Sequence, residues 1–206
     1  WIGLANPPAP PFLAAYRLNF SLRRAARLRL HVSADERYEL FCDGVRLGRG
    51  PERGDAAHWY YETYAVALGA GKHCLVAKVW SLGNDAPYAQ MSVRHGFILG
   101  AEGEFLPLLA TGQAPWQGQR VAGCEFIRAG LTWGVGARQK IDGTAYPWGL
   151  EQGRGKAWGP VAILHHGVNG ERKNEWPALH RLRPATLPPQ LESLEAQTLR
   201  FVSAFC

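Results

Sequence analysis

The chain has 206 residues, of which 47% are hydrophobic, which fits one large domain with a real core. Its net charge is +6, from 23 Lys and Arg against 17 Asp and Glu. Apart from Arg23 and Arg24 and the Arg181/Arg183 pair, the basic residues are scattered. Nucleic-acid recognition needs a clustered basic face, so no nucleic-acid partner is expected. No window is long and apolar enough to span a bilayer, so no membrane partner is expected either.

The 24 Gly and 14 Pro punctuate short apolar runs, the pattern of an all-β sandwich or barrel. Trp1 to Pro11 reads as an extended, Pro-rich lead-in. Tyr16, Leu18, Phe20 and Leu22 alternate with Arg17, Asn19 and Ser21, which makes a first strand with one buried face. Leu28, Leu30, Val32 and Ala34 repeat the pattern, and so do Tyr38, Leu40 and Cys42; Ala34, Asp35, Glu36 and Arg37 form a polar break between them. Asp43 and Gly44 are the dipeptide of a type I′ hairpin turn, since both central residues need positive φ. Val45 and Leu47 start a return strand that Gly48, Arg49, Gly50 and Pro51 end; Arg49 and Arg53 are expected on solvated surface, with a face toward a neighbouring domain as the alternative. Trp59 to Leu68 is rich in aromatic and β-branched residues, hence a strand, and Gly69 to Gly71 turns the chain. Cys74 to Leu82 is nearly continuous apolar sequence, as a central strand would be. Gly83 to Pro87 is a loop. Tyr88 to Leu99 is expected as another long strand with Met91, Val93 and Phe97 on one face, and a short run, Glu104 to Ala110, completes the first half.

From Thr111 to Gly170 the alternation weakens. Trp116, Trp133, Trp148 and Trp158 fall here among many glycines, which predicts long loops pinned by buried aromatics, with short strands at Gly123 to Arg128, Leu131 to Gln139 and Val161 to His165. His180 to Leu187 reads as a last strand or extended exit, and Leu191 to Phe205 as a helix or an extended linker. The expected class is an all-β, antiparallel β-sandwich with long loops: one domain over residues 12–190, with a loop-rich excursion at about 111–170, and a linker over 191–206 leading to a further domain. The start at Trp1 and the apolar end at Cys206 suggest part of a longer chain.

No G-x-S-x-G elbow, P-loop, H-E-x-x-H or Rossmann glycine pattern is present. Glycoside hydrolysis needs two carboxylates facing each other across a sugar. Asp35, Glu36, Asp43, Glu62, Asp85, Asp142 and Glu151 are available, but no pattern sets a pair on rigid elements, so no catalytic residue is assigned. His165 and His166 point opposite ways if they lie in a strand, and the cysteines at 42, 74, 124 and 206 show no C-x-x-C spacing. Buried free thiols, no metal site and no cofactor are therefore expected, with Cys42 and Cys74 as possible neighbours. Trp59 and Trp80 read as core. Trp133 and Trp148 lie in loop-rich sequence, where a flat exposed indole can stack on a sugar ring while a buried one would pin the loop. Glu151 can accept bonds from sugar hydroxyls or pair with Arg154 or Lys156. Trp133, Trp148 and Glu151 are thus the candidate carbohydrate-binding residues.

The order S-A-D-E-R-Y-E-L-F-C-D-G-V-R-L-G-R-G-P (Ser33 to Pro51), H-W-Y-Y-E-T-Y (His58 to Tyr64), L-x-x-G-K-H-C-L-V-A-K-V-W (Leu68 to Trp80) and G-F (Gly96 and Phe97) resembles the N-terminal β-sandwich region of α-L-rhamnosidase-type glycoside hydrolases. Asp142-Gly143, Pro147 to Glu151, Trp158, Leu182 to Pro184 and Leu187 to Pro189 are similar to segments that follow in those proteins. The resemblance implies an accessory, galactose-binding-like jelly roll. Hydrolysis of terminal rhamnose would be done by a separate (α/α) helical toroid downstream. The implied partners are that catalytic (α/α) domain of the parent chain and rhamnose-containing glycans. An autonomous carbohydrate-binding module is the alternative.

Overall fold

The computed structural model describes residues 1–55, 57–128, 134–169 and 180–188. Among these residues fourteen strands follow one another. They are β1 (Ile2–Leu4), β2 (Phe12–Leu22), β3 (Ala26–Ala34), β4 (Arg37–Cys42), β5 (Val45–Gly50), β6 (Trp59–Leu68) and β7 (Gly71–Ser81), then β8 (Phe97–Ala101), β9 (Gln117–Arg120), β10 (Cys124–Ile127), β11 (Arg138–Ile141), β12 (Gly159–Ile163), β13 (Val168–Asn169) and β14 (Arg181–Pro184). A single turn of α-helix among the described residues, α1 (Leu106–Leu109), lies after β8.

Twelve strands form one continuous ladder, in the order β13-β14-β6-β3-β8-β1-β12-β9-β2-β7-β4-β5, and β10 pairs with β11 apart from it. The ladder folds over into an all-β sandwich. β12 makes the fold: Gly159 and Pro160 pair with β9 of one layer, while Val161 to Ile163 pair with β1 of the other. The long β2–β7 pair, Phe12 opposite Ser81 through Leu22 opposite Gly71, centres the back layer, and β3 between β6 and β8 centres the front. The alternating residues do what period two demands. Tyr16, Leu18, Phe20, Leu28, Leu30, Val32, Leu40, Leu75, Val79, Phe97 and Leu99 meet in one buried cluster between the layers. A second, smaller cluster lies on the outer face of β2, where Leu13 and Ala15 are covered by Val121, Cys124 and Leu150 of the segment that leaves the sandwich.

Several readings change. Ile2–Leu4 is not a lead-in but a buried strand bonded to β8 and β12. Tyr88 to Gly96 is not strand; only Phe97–Ala101 is, and Met91 and Val93 are 41% and 39% exposed. The alternation there is real, but the backbone is spent on Asp35, whose Oδ1 accepts from Val93 N and Arg94 N. Glu104 to Ala110 folds as helical turns, with Pro at the start of α1, where its missing N–H costs nothing. β14 runs parallel to β6 and to β13, against the otherwise antiparallel pairing. The possible strand at Leu131 to Gln139 begins outside the described residues and appears only as β11. The 191–206 segment also lies outside them.

Asp43 (φ 51°) and Gly44 (φ 84°) make the turn between β4 and β5 that their sequence requires. β5 ends at Gly50, before Pro51, as expected; Gly48 lies inside it, under the Tyr64 ring of the other layer. Tyr64 shares a 2.9 Å hydrogen bond with Tyr38 through their hydroxyls, closing the two layers, and a Cβ on Gly48 would fall 2.3 Å from the Tyr64 ring. Gly48→Ala is expected to lower unfolding free energy by about 1–3 kcal/mol, the usual cost of overpacking, read from the urea midpoint.

Candidate functional site

Inward Tyr38, Leu40 and Val79 force their neighbours Arg37, Glu39, Lys78 and Trp80 onto the outer face of the back layer. Register then sets these in rows: Arg49 opposite Glu39, Glu39 opposite Lys78, and Arg37 opposite Trp80. Side chains directly opposite each other are within contact range. Phe126 and Gln139, themselves opposite each other on β10 and β11, form the facing wall. The floor and walls enclose a cleft of about 710 Å³, to which Gln90, Glu52 and Arg53 also contribute. Small-molecule sites are commonly of this size.

The charges in this region are mostly spent on one another. Lys78 Nζ donates to Glu39 Oε2 at 2.9 Å and to Glu151 Oε1 at 3.2 Å, and Arg46 Nη1 donates to Glu39 Oε1 at 3.1 Å. Burial acts to lower the Lys78 pKa, but the bond to Glu39 and the surrounding carboxylates outweigh it and raise it. Glu52 accepts from the backbone N–H groups of Thr186 and Leu187 and from the Thr186 hydroxyl; these donors overcome the desolvation of Glu52 and hold its pKa below the usual range. Arg37 is different: burial lowers its pKa, Glu36 partly restores it, and the nearby charge of Arg53 lowers it again. Arg37 Nε is buried with no hydrogen-bond partner among the described residues.

Of the residues singled out from sequence, Trp133 lies outside the described residues. Trp148 is 70% exposed, with its indole N–H bonded to Gly143 O at 2.7 Å and Tyr146 edge-on at 5.1 Å. Glu151, on the turn after it, pairs with Lys78 rather than Arg154 or Lys156. Neither residue lines the cleft, although Lys78 links Glu151 to Glu39 in its wall. Trp59 is core and donates to Ala34 O; Trp80 belongs to the outer cluster instead. Arg49 and Arg53 are exposed, as expected, and both also line the cleft. Sequence reading missed Arg37, Trp80 and Phe126 as a group. Outward alternation was the available signal, but bringing them together required the β4–β7 register.

Asp35 and Glu36, read as a polar break, are each 1% exposed. Asp35 accepts from Ser92, Val93, Arg94 and from His180 Nε2 at 2.8 Å, and Trp1 stacks on His180 at 4.2 Å. Glu36 accepts from Leu82 N and Gly83 N. These acids organise loops rather than face a cavity across from one another. Cys42, Cys74 and Cys124 are free thiols. Among the described residues no cluster of three His, Cys, Asp or Glu could hold a metal, and no helix is long and apolar enough to cross a membrane.

No family profile and no curated protein matches the chain. Its fold is found in solved structures. A GH78 family rhamnosidase of Bacillus sp. GL1 superposes with a TM-score of 0.73 at 21% identity, over 92% of this chain and 20% of that one. An α-L-rhamnosidase from Aspergillus terreus gives 0.60 at 16%, over 91% and 22%. A lectin of Pleurotus ostreatus gives 0.50 at 16%, over 92% and 45%. The chain thus spans about a fifth of the length of the rhamnosidases it resembles, and at these identities the likeness is one of fold.

Proposed function

We propose that the chain is a non-catalytic accessory β-sandwich of a rhamnosidase-type glycoside hydrolase, built to dock a helical catalytic domain and to contact carbohydrate. The observation that carries this reading is the superposition on the Bacillus enzyme, which takes in nearly all of this chain but a fifth of that one. Apolar surface on the other layer suits a dock: Leu106 and Ile163, 42% and 66% exposed, rim a cleft of about 590 Å³ with Tyr61 and Ile98. A non-catalytic role fits the two carboxylates of the larger cleft, since Glu39 is tied to Lys78 and Arg46, and Glu52 is held as an anion, whereas a glycosidase acid must keep its proton. The second reading, an autonomous carbohydrate-binding module, is favoured by the aromatic walls that Trp80 and Phe126 give the larger cleft.

The chain alone is expected to release no nitrophenol from nitrophenyl α-L-rhamnoside and to give no saturable heat with rhamnose or galactose in titration calorimetry. Nitrophenol release would overturn the non-catalytic reading. Saturable heat with either neutral sugar would favour the autonomous module.

A further inference from the structure

We propose that the cleft between β4, β7 and the β10–β11 hairpin is a binding site for an acidic sugar unit, a uronate whose carboxylate is taken by Arg37 and Arg53. This inference rests on the carbohydrate-contacting part of the function proposed above and specifies its chemistry.

Two residues of the cleft wall, Arg37 and Gln90, each carry a buried polar atom without a partner among the described residues. Arg37 Nε is a buried donor without an acceptor. Gln90 Oε1 is a buried acceptor without a donor, and the amide is fixed that way round because Gln90 Nε2 donates to the carbonyls of Glu36 and Met91. Buried polar groups are normally satisfied, and each exception asks for a partner. A molecule in the cleft that offers Arg37 an acceptor and Gln90 a donor would meet both needs. A hydroxylated ring carrying a carboxylate presents both.

Charge points the same way. The acids of the cleft are already engaged, Glu39 by Lys78 and Arg46, Glu52 by Thr186 and Leu187. Arg37 and Arg53 line the same cleft, and the charge of Arg53 adds to the lowering of the Arg37 pKa. An anion in the cleft offsets both charges, and planar guanidinium groups match carboxylate geometry. Trp80, opposite Arg37 on β7, and Phe126 on the facing wall offer flat apolar surface for the C–H face of a sugar ring. A neutral sugar would leave Arg37 Nε facing only hydroxyls, and a simple inorganic anion would leave the aromatic walls uncovered.

Calorimetry of the whole chain with D-galacturonate and D-galactose tests this, because the two differ only at C6. Saturable heat is expected with galacturonate alone, weakening as salt rises. Arg53 is exposed, so Arg53→Gln should leave the thermal melt unchanged while cutting galacturonate affinity tenfold or more. Equal binding of the two sugars, no binding of galacturonate, or undiminished affinity in Arg53→Gln would each overturn the inference. The nitrophenyl rhamnoside assay would still stand as the separate test of the non-catalytic reading.

Discussion

Asp35→Ala is expected to destabilise the fold by about 3–5 kcal/mol, because several buried donors lose their acceptor at about 1–3 kcal/mol each. Asp35 joins three stretches that the chain alone would leave apart: the corner between β3 and β4, the Ser92 to Arg94 loop, and the entry to β14 at His180. Without the carboxylate, two backbone N–H groups and the buried His180 ring lose their acceptor. Typical domains have only 5–15 kcal/mol in total, so the variant should melt far below the parent, and Asp35→Asn, which keeps one acceptor, should fall between them. Urea midpoints read the series, and a loss under about 1 kcal/mol for Asp35→Ala would show that the network is not structural. Burial acts to raise the Asp35 pKa, but the bonds from His180, Ser92, Val93 and Arg94 outweigh it and lower it. This part of the stability is therefore present above the unfolded pKa and is lost as the pH falls through the lowered one.

The neighbouring acid has the opposite sign. Burial pushes Glu36 up to about 7 from 4.5, against the pull of Gly83 N and Leu82 N, so its contribution is full below the unfolded value and is lost as pH rises through about 7. His95 works against it in the same window. Burial lowers its pKa from 6.5 to about 4, so it favours the fold above 6.5 and opposes it as pH falls toward 4. Each shift corresponds to roughly 3 kcal/mol. The wild-type chain should therefore be nearly flat in stability between about pH 4.5 and 6.5, where the two effects oppose one another. Glu36→Gln should unmask a rising slope with pH, and His95→Gln a falling one. Denaturant midpoints at several pH values check both, and parallel curves for the two variants would rule out this pairing.

The sandwich was legible where chemistry is local. β2, β3 and β4 declare themselves by alternation, the Asp43-Gly44 turn by its demand for positive φ, and β6 by its aromatic and β-branched run. β1 was not legible, because three residues between a Trp and a Pro-rich stretch carry no period. Met91 and Val93 mimic a strand, but Asp35 competes for their backbone from far away in sequence. Asp35 and Glu36 look like surface residues until their donors are known, and those lie 46 to 145 positions off. The cleft was illegible for the same reason. Arg37, Trp80 and Phe126 are ordinary residues on three strands, and only pairing register makes them neighbours. Trp148 is exposed rather than buried as a loop-pinning ring, and it does not line the cleft.

The placement of β1 has a consequence for how the protein is made. Ile2 bonds across to Ile163 and Phe97, so the seam between the layers waits for a segment synthesised some 160 residues later. The edge beside β1 thus stays open until β12 has been made, and closure joins residues far apart in sequence. Such distant pairing makes for slow assembly, and the half-built sandwich is the species for chaperones to shield.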